Sequence, residues 1–276
     1  MESDPFFQLL REHSWLRFAH WQAETESTNS LARQHATERP DLLPALFVAQ
    51  RQTRGRGRGN HVWWSPDGCL MLTVAVPASL LPTDRNQWSK LALLTGVTAA
   101  EAIESVCPDL QVQLKWPNDL YLSGRKTGGI LIESFAPSGH NQVFLIGVGI
   151  NFAVDWSIAP RELLNKATCL SSHSGNPVSA TQLLFQLIEI LAGRLDRWIL
   201  EPRSWHPDWF NRCMLTGRTV TIGLPSGTDG SSAQGGIMGN RLTGRCEGVA
   251  TDGQLLLRTA DGNLVPITVG QVVSFE

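Results

Sequence analysis

The sequence predicts an α+β protein in which a mixed or antiparallel sheet flanked by helices is followed by a small β-barrel. Short apolar runs typical of buried strands occur at 45–49, 69–76, 130–135 and 143–150. Residues 179–200 carry one apolar stripe at helical spacing. From residue 217 onward, short β-type runs are separated by Asp-Gly turns. We therefore expect residues 1–212 to form one domain and residues 213–276 a second.

Within the first domain, the helices are expected to alternate with the strands of the sheet. The predicted helices lie within 5–21, from Ser27 to a stop before Pro40, and over 86–106, 179–200 and 203–213. A strand at 111–116 and another within 5–21 complete the sheet. In the second domain, the predicted strands are 219–222, 242–249, 254–258, 264–267 and 272–275.

Composition excludes several classes of protein. The chain has 276 residues, of which 42% are hydrophobic and 17% charged, and its net charge is −2. Such a balance argues against a dedicated nucleic-acid binder, which is usually clearly basic. The five cysteines are far apart and lack CxxC spacing, which favours a reducing compartment and argues against a zinc site. With no signal-peptide pattern and no apolar run of about 20 residues, we expect a cytoplasmic protein without a membrane partner.

A Gly/Arg-rich stretch at 52–63 follows the first predicted buried strand. Its glycines free the backbone for tight turns, and its arginines supply cations suited to carboxylate or phosphate. The stretch therefore predicts an anion-binding loop closed by Trp63. Taken alone it is equally compatible with a flexible basic loop that binds nucleic acid by charge.

Polar residues that precede a predicted helix have two interpretations. Ser27, Thr28 and Asn29 lead into the second helix, where one such residue would act as an N-cap. A cap needs only one of the three, so the remaining hydroxyl and amide groups could bind a polar ligand. The residues alone leave these alternatives open.

Further polar groups follow the later strands. Lys115-Trp116-Pro117-Asn118-Asp119 places a cation, an aromatic ring, an amide and a carboxylate within five residues, a set that suits a nucleotide and a divalent metal. Turn capping by Asn118 and Asp119 is the simpler interpretation of those two residues. Lys126 precedes Gly128-Gly129, where a ligand can approach the backbone closely. Gly147, Gly149 and Asn151 repeat this pattern, and an amide such as Asn151 can recognise a purine edge.

Together these segments resemble the catalytic domain of the biotin protein ligases. The matching motifs, in order, are Gly55-Arg56-Gly57-Arg58, Lys115-Trp116-Pro117-Asn118-Asp119, Arg125-Lys126-x-Gly128-Gly129-Ile130-Leu131 and Gly149-Ile150-Asn151. Each motif alone is weak or moderate, but four in order over one domain are strong. The resemblance runs from about residue 20 to the C-terminus. It implies a class II synthetase-like sheet followed by an SH3-like barrel.

The resemblance also implies a two-step, AMP-forming ligase reaction. Biotin and ATP would give biotinyl-5′-AMP, and a lysine of the biotin carboxyl carrier protein of acetyl-CoA carboxylase would then accept the biotinyl group. Mg²⁺ would accompany ATP. The chain shows no segment for the DNA-binding domain of bifunctional members, which implies a monofunctional ligase without a DNA partner. The oligomeric state, a homodimer included, stays open.

Site roles follow from the same resemblance, motif by motif. The residues assigned to biotin are Ser27, Thr28, Asn29, Gln52, Gly55, Arg56, Gly57, Arg58, Lys126, Gly128 and Gly129. Those assigned to ATP and the adenylate are Arg56, Arg58, Trp63, Lys115, Asn118, Lys126, Gly149 and Asn151. Catalysis falls to Arg58, Lys126, Lys115 and Asp119, with Asp119 also the candidate Mg²⁺ ligand.

One departure and two competing functions accompany this assignment. Asn60-His61 stands where the family commonly has a further Gly-Arg pair, and histidine is a weaker, pH-dependent cation. A solvent-facing loop residue is the favoured interpretation of His61. A lipoate–protein ligase also forms an acyl adenylate and belongs to the same superfamily, although the loop and the 115–119 motif favour biotin. A non-catalytic nucleic-acid-binding module is the alternative from a different class.

Overall fold

The computed structural model describes residues 5–59, 61–139, 141–225 and 241–276. Its α-helices are α1 (Pro5–His13), α2 (Thr28–Glu38), α3 (Leu91–Val106), α4 (Ala180–Leu200) and α5 (His206–Arg212). The strands of a first sheet are β1 (Phe18–Thr25), β2 (Ala45–Gln52), β3 (Cys69–Pro77), β4 (Gln113–Lys115), β5 (Asp119–Leu122), β6 (Arg125–Phe135) and β7 (Val143–Asn151). A second sheet contains β8 (Thr219–Gly223), β9 (Arg241–Val249), β10 (Leu255–Arg258), β11 (Leu264–Ile267) and β12 (Gln271–Phe275).

Within the described ranges, the first sheet has the order β1-β2-β3-β7-β6-β5-β4. Only β1 and β2 pair in parallel, and the other neighbours are antiparallel. The second sheet is antiparallel, in the order β11-β10-β9-β8-β12. Both observations confirm the predicted fold class. The domain boundary at residue 213 stays a prediction.

Helices cover both faces of the first sheet because residues along its strands alternate between the faces. In β2, Leu46 and Val48 belong to a large core that also contains much of α3 and α4. Ala45 and Phe47 point to the opposite side and pack with Ala32 of α2 in a smaller cluster. The predicted apolar stripe of α4 is buried in the large core except at its C-terminal end, where Ile199 is exposed.

Two predicted elements are shorter than their sequence pattern. The predicted helix at 86–106 begins as a 3-10 turn over Arg85–Lys90, where the Asp84 carboxylate accepts a hydrogen bond from the Asn86 backbone N–H at 3.0 Å. The predicted strand at 111–116 is reduced to β4 because the backbone N–H of Val112 donates to Glu104 Oε1 at 2.9 Å instead of to a neighbouring strand. Side-chain partners therefore set these ends.

Strand direction brings the predicted motifs to one end of the first sheet. Thr25 at the end of β1 pairs with Gln52 at the end of β2. Cys69, at the start of β3, pairs with Asn151 at the end of β7. On the far side of the sheet, Asp119 at the start of β5 lies opposite both Gly129 and Lys115. Segments distant in sequence thus meet at the same end of the sheet, where these strands begin or finish.

The second sheet contacts this end directly. The Trp116 indole N–H donates to the Gly253 carbonyl at 3.1 Å. The Lys115 ammonium lies 5.3 Å from the ring centroid of Phe275 in β12 and 5.6 Å from that of Tyr121 in β5. Lys115 therefore lies between the two sheets. Among the described helices, none combines the length and apolarity that a bilayer crossing needs.

Candidate active site

One cavity of about 710 Å³ lies at the end of the first sheet where these strand ends meet. It is lined by most of the residues that the sequence singled out: Ser27, Thr28, Asn29, Gln52, Arg56, Gly57, Arg58, Trp63, Lys115, Asn118, Asp119, Lys126, Gly129 and Gly149. Four separate motifs therefore converge on one pocket, with a volume typical of small-molecule sites. This convergence is what the sequence predicted.

The start of α2 supplies a neutral polar wall. Ser27 is the N-cap residue of α2, yet its side chain makes no capping hydrogen bond. The Thr28 backbone N–H donates to Gln52 Oε1 at 2.7 Å, and the Thr28 hydroxyl reaches the same oxygen at 3.2 Å. Thr73, a buried residue of β3, places its hydroxyl 2.8 Å from that of Thr28. The wall therefore combines fixed groups with a Ser27 hydroxyl that the helix does not use.

Hydrogen bonds to two other protein side chains fix the Asn29 amide next to this wall. Its Oδ1 accepts a hydrogen bond from the Thr73 hydroxyl at 2.6 Å, and its Nδ2 donates to Glu133 Oε2 at 2.9 Å. Gly147 makes the room, because a Cβ there would come within 2.6 Å of Asn29 Oδ1. Both ends of the amide are thus satisfied by protein groups. The sequence did not single out Thr73 or Glu133, since neither belongs to a polar motif.

The Gly/Arg stretch folds as a short hairpin across the cavity mouth. The Trp63 backbone N–H donates to the Gly55 carbonyl at 2.9 Å, and the Gly57 N–H donates to the His61 carbonyl at 2.8 Å. Arg56 pairs with Val62 in an isolated antiparallel bridge. The glycines therefore carry a defined backbone turn, and the flexible-loop alternative does not match this geometry. Asn60 lies outside the described residues.

Arg56 lines the cavity, but its guanidinium is paired with a carboxylate of the protein. Its two terminal nitrogens lie 3.0 and 3.1 Å from the two carboxylate oxygens of Glu133. This bidentate geometry is the strongest form of an Arg–carboxylate pair. The role of Arg56 as a phosphate ligand is thus less well supported than its role in shaping the loop.

Trp63 packs against one glycine in β6, Gly129, and one in β7, Gly149. A Cβ at Gly149 would come within 2.9 Å of the indole, and one at Gly129 within 3.5 Å. The Lys126 ammonium lies 5.5 Å from the same ring. The indole N–H of Trp63 is buried without a hydrogen-bond partner among the described residues. Because these glycines of β6 and β7 have no side chain, the indole can lie directly against the backbone of the two strands.

The opposite wall of the cavity is cationic. Lys126 Nζ lies 2.5 Å from Asp119 Oδ1. Burial lowers the pKa of Lys115; the charge of Asp119 opposes this shift and that of Lys126 adds to it. Arg58 is exposed, but the surrounding protein partly desolvates it and lowers the pKa of its guanidinium, with Asp119 opposing. Three cations thus share one carboxylate, an arrangement that favours bound anions.

Asp119 is the only carboxylate among the described residues that line the cavity. Within the described chain, no group of three or more His, Cys, Asp or Glu side chains is placed to hold a metal ion. Mg²⁺ commonly binds to proteins through one or two carboxylates together with substrate phosphates. Asp119 therefore fits Mg²⁺ only as one ligand of an ion that a nucleotide also holds. The Asn118 Nδ2 donates to the Ile130 carbonyl at 2.7 Å, so this hydrogen bond fixes the side-chain amide through its nitrogen and not through its oxygen.

Three predicted site residues, Gly55, Gly128 and Asn151, do not line the cavity, and their assigned ligand roles stay predictions. Asn151 donates through Nδ2 to the Thr168 carbonyl at 3.0 Å, so its amide is engaged away from the pocket. A Cβ at Gly55 would lie 2.4 Å from the Trp63 carbonyl oxygen. One at Gly128 would lie 2.7 Å from Leu120. These two glycines allow close packing beneath the site.

The second sheet contributes a wall that sequence patterns did not assign. Gly223, Leu224, Pro225, Val269, Gly270, Gln271 and Val272 line the same cavity. The Gln271 amide nitrogen lies 3.2 Å from His61 Nε2, which joins the hairpin to β12. The sequence favoured a solvent-facing loop residue at His61, and His61 is exposed, but its ring also contacts Gln271. No chemical motif marks these residues, so only the fold could have found them.

A covalent enzyme intermediate has no support in this geometry. Burial raises the pKa of the Cys69 thiol to about 12, so the thiol is protonated at neutral pH. A thiol in that state is a poor nucleophile. The chemistry available here is the juxtaposition of two anionic reactants on a cationic wall, with a neutral polar group held opposite.

Comparison with known proteins agrees with the fold. Residues 21–151, from β1 to the end of β7, match the biotin/lipoate A/B protein ligase family. A bifunctional ligase/repressor of Bacillus spizizenii is 28% identical over 86% of this chain and 67% of its own length. A biotin–[acetyl-CoA-carboxylase] ligase of Mycobacterium tuberculosis is 26% identical, covering 91% of this chain and 86% of the relative.

The structural match extends over both sheets. A biotin protein ligase from Aquifex aeolicus, solved with biotin and ATP, has a TM-score of 0.73 at 24% identity and covers 94% of this chain and 98% of its own. At that identity the likeness shows the shared fold. The family match spans the sheet whose end forms the cavity, and the relatives resemble the chain beyond it. Residues 21–151 therefore form a domain of the biotin/lipoate A/B protein ligase family.

Proposed function

We propose that this protein activates biotin with ATP to biotinyl-5′-AMP and pyrophosphate, then transfers the biotinyl group to a lysine of a biotin carboxyl carrier protein. One observation carries the proposal: a single cavity is lined by neutral hydrogen-bonding groups at the start of α2 and also by the cations Arg58, Lys115 and Lys126. Biotin has a neutral ureido ring at one end and a carboxylate at the other. The pocket offers a matching pair of surfaces.

The neutral wall is assigned to the ureido ring. Ser27 has a hydroxyl free of capping, and Thr28 and Gln52 are held together by the hydrogen bond of 2.7 Å. Asn29 supports this wall from behind, since both ends of its amide bind protein groups. Fixing these groups before the ligand arrives reduces the entropy that binding must overcome.

The first chemical step joins two anions. A carboxylate oxygen of biotin attacks the α-phosphorus of ATP, the bond from that phosphorus to the bridging oxygen breaks, and pyrophosphate leaves. Lys126 and Arg58 would hold the carboxylate and the α-phosphate, and Lys115 the departing phosphates. Prepositioned cations lower this barrier because they need no rearrangement when charge moves. Trp63 and Gly149 are assigned to the adenine side of the cavity.

In the second step, the neutral amine of the acceptor lysine attacks the carbonyl carbon of the mixed anhydride. The bond to the phosphate oxygen breaks, AMP leaves, and the amine proton passes to solvent. The Mycobacterium tuberculosis relative is named for acetyl-CoA carboxylase, and we extend that carrier to this chain as a proposal. When Mg²⁺ is bound with ATP it would neutralise phosphate charge, with Asp119 as its protein ligand.

Other aspects of the proposal concern the setting of the reaction. The described cysteines are all free thiols, which agrees with the expected cytoplasmic location. We propose no DNA-binding role for the hairpin, because Arg56 is paired with Glu133 and Arg58 lines the cavity. The domain boundary at residue 213 is retained, with residues of the second domain completing the cavity wall.

Biotin-dependent exchange of labelled pyrophosphate into ATP tests the first step. We expect exchange with biotin and little with lipoate, since the neutral wall is built for a ureido group. Transfer is tested with a carrier domain, and a carrier whose target lysine is replaced by arginine is the control. Exchange with lipoate alone would assign the chain to the other branch of the family. Exchange with neither acid would overturn the proposed function.

A further inference from the structure

Glu133 lies between Asn29, which supports the neutral wall, and Arg56, which belongs to the Gly/Arg hairpin. No sequence motif predicts this position. Its carboxylate accepts a hydrogen bond from Asn29 Nδ2 at 2.9 Å and forms the bidentate pair with Arg56 at 3.0 and 3.1 Å. Arg33 of α2 lies 4.0 Å away and contributes a second, weaker ion pair. One carboxylate on β6 thus holds the neutral wall and the hairpin together.

The Glu133 end of this pair is more shielded from solvent than the Arg56 end. The Glu133 side chain is 23% exposed, and the Arg56 side chain 42%. Asn29, its other partner, is buried, and Gly147 leaves just enough space for the Asn29 amide. Charge-assisted bidentate bonds fix orientation as well as distance. Glu133 therefore sets the direction of both partners while not itself lining the cavity.

We infer that Glu133 is a positioning residue that latches the Gly/Arg hairpin to the ureido-binding wall and so retains the acyl adenylate. The inference rests on the proposed function and deepens it. Arg58 lies two residues beyond Arg56 on the same hairpin, whose backbone is tied at Gly55 and Gly57. Releasing Arg56 removes the ion pair that ties this short hairpin to β6, although the packing of Trp63 remains. The adenylate would then escape before the carrier lysine arrives.

The test uses the full chain and measures two quantities: the rate at which preformed biotinyl-AMP dissociates, and the thermal midpoint of unfolding. Glu133→Gln removes the charge and keeps the shape. Glu104→Gln is the matched control, because Glu104 also joins an arginine, Arg212 at 2.6 Å, and a backbone N–H, that of Val112 at 2.9 Å. Glu104 does not line the cavity.

We expect Glu133→Gln to release the adenylate roughly 10- to 100-fold faster, the range for losing a charged hydrogen-bond partner. The Glu104→Gln variant should release the adenylate at the wild-type rate, even if its thermal midpoint falls as much as that of Glu133→Gln. A double-mutant cycle with Arg56→Gln sharpens the result. If Glu133 acts through Arg56, the double variant should release adenylate no faster than Arg56→Gln alone, whereas fully additive effects would refute the latch.

Failure of this inference is separable from failure of the proposed function. A wild-type protein that forms biotinyl-AMP, with a Glu133→Gln variant that retains it equally well, would remove the latch and leave the ligase activity standing. A wild-type protein that forms no biotinyl-AMP would overturn both. Faster release with unchanged unfolding temperature, absent in Glu104→Gln, supports the latch.

Discussion

The two walls of the cavity are built in opposite ways. On the neutral wall, Thr28, Asn29, Gln52 and Thr73 satisfy one another through hydrogen bonds of 2.6 to 3.2 Å. On the cationic wall, three positive side chains share the single carboxylate of Asp119. Apart from the Ser27 hydroxyl, the neutral wall is hydrogen-bonded within the protein, whereas the cationic wall lacks the negative charge that a ligand would supply.

This difference indicates a division of labour. A network of satisfied neutral groups is rigid and recognises shape and hydrogen-bond pattern. An excess of positive charge around one carboxylate is unfavourable until anions bind, and the stabilisation from these cations grows where negative charge accumulates. The neutral wall should therefore govern affinity for the acid, and the cationic wall should govern the rate of adenylate formation. Each prediction below separates these two quantities.

The largest effect is expected at Lys126. Replacing it by alanine removes the cation nearest Asp119 and leaves that carboxylate facing the reacting anions. We expect Lys126→Ala to lower the rate of adenylate formation by roughly 10²- to 10³-fold, the cost typical of losing one charge-stabilising group. Single-turnover formation of biotinyl-AMP measures this rate, and circular dichroism checks the fold.

Lys166→Ala is the control for that experiment. Lys166 is exposed and lies beside Lys126, with its backbone carbonyl accepting the Lys126 N–H at 2.9 Å, but its side chain does not line the cavity. Its substitution should leave the rate unchanged. A folded Lys126→Ala variant with wild-type rate would remove the cationic wall from the mechanism.

A smaller effect is expected on the neutral wall at Gly147. An added Cβ would meet Asn29 Oδ1 at 2.6 Å and the Leu131 carbonyl oxygen at 3.0 Å, so the Asn29 amide must move. We expect Gly147→Ala to weaken biotin binding by about tenfold, as a loss of about 1.4 kcal/mol would, and to leave ATP binding unchanged. Isothermal titration with each ligand separately measures both.

Gly193→Ala provides the matched glycine control. Gly193 lies in α4, and a Cβ there meets no heavy atom within 4 Å. It should bind biotin normally and gain slight stability, since alanine favours a helix over glycine. If Gly147→Ala weakened ATP and biotin equally, the two walls would not act separately.

The smallest effect concerns the pH dependence of the cationic wall. Because burial lowers the pKa of Lys115, this lysine loses its charge at a lower pH than an exposed lysine does. The rate of adenylate formation should therefore fall as pH rises through that pKa, by roughly threefold if Lys115 assists the leaving group as one of several cations. Lys115→Arg should keep its charge and move the decline to higher pH. An identical decline in this variant would assign it to another group.

Different parts of the site were predictable to different degrees. Ser27, Gln52, Arg58 and Lys126 lie in short polar motifs, and all four line the cavity. Glu133 and Thr73 stand alone within apolar strands, where an isolated polar residue gives no signal of its partners. Asn151 lies in one of the four motifs, yet its amide donates to the Thr168 carbonyl in this structure. A motif identifies the chemistry available and leaves each hydrogen-bond partner undetermined.

The sequence by itself determined the two-part fold and the cation-rich and polar motifs, because hydrophobic periodicity and glycine placement are local properties of the chain. Tertiary structure decided which of these groups share a pocket. It paired Arg56 with Glu133 across 77 residues and brought β12 to His61 across 210. Such contacts depend on strand order and on the space that Gly147 and Gly149 leave, which emerge only when the sheet is assembled.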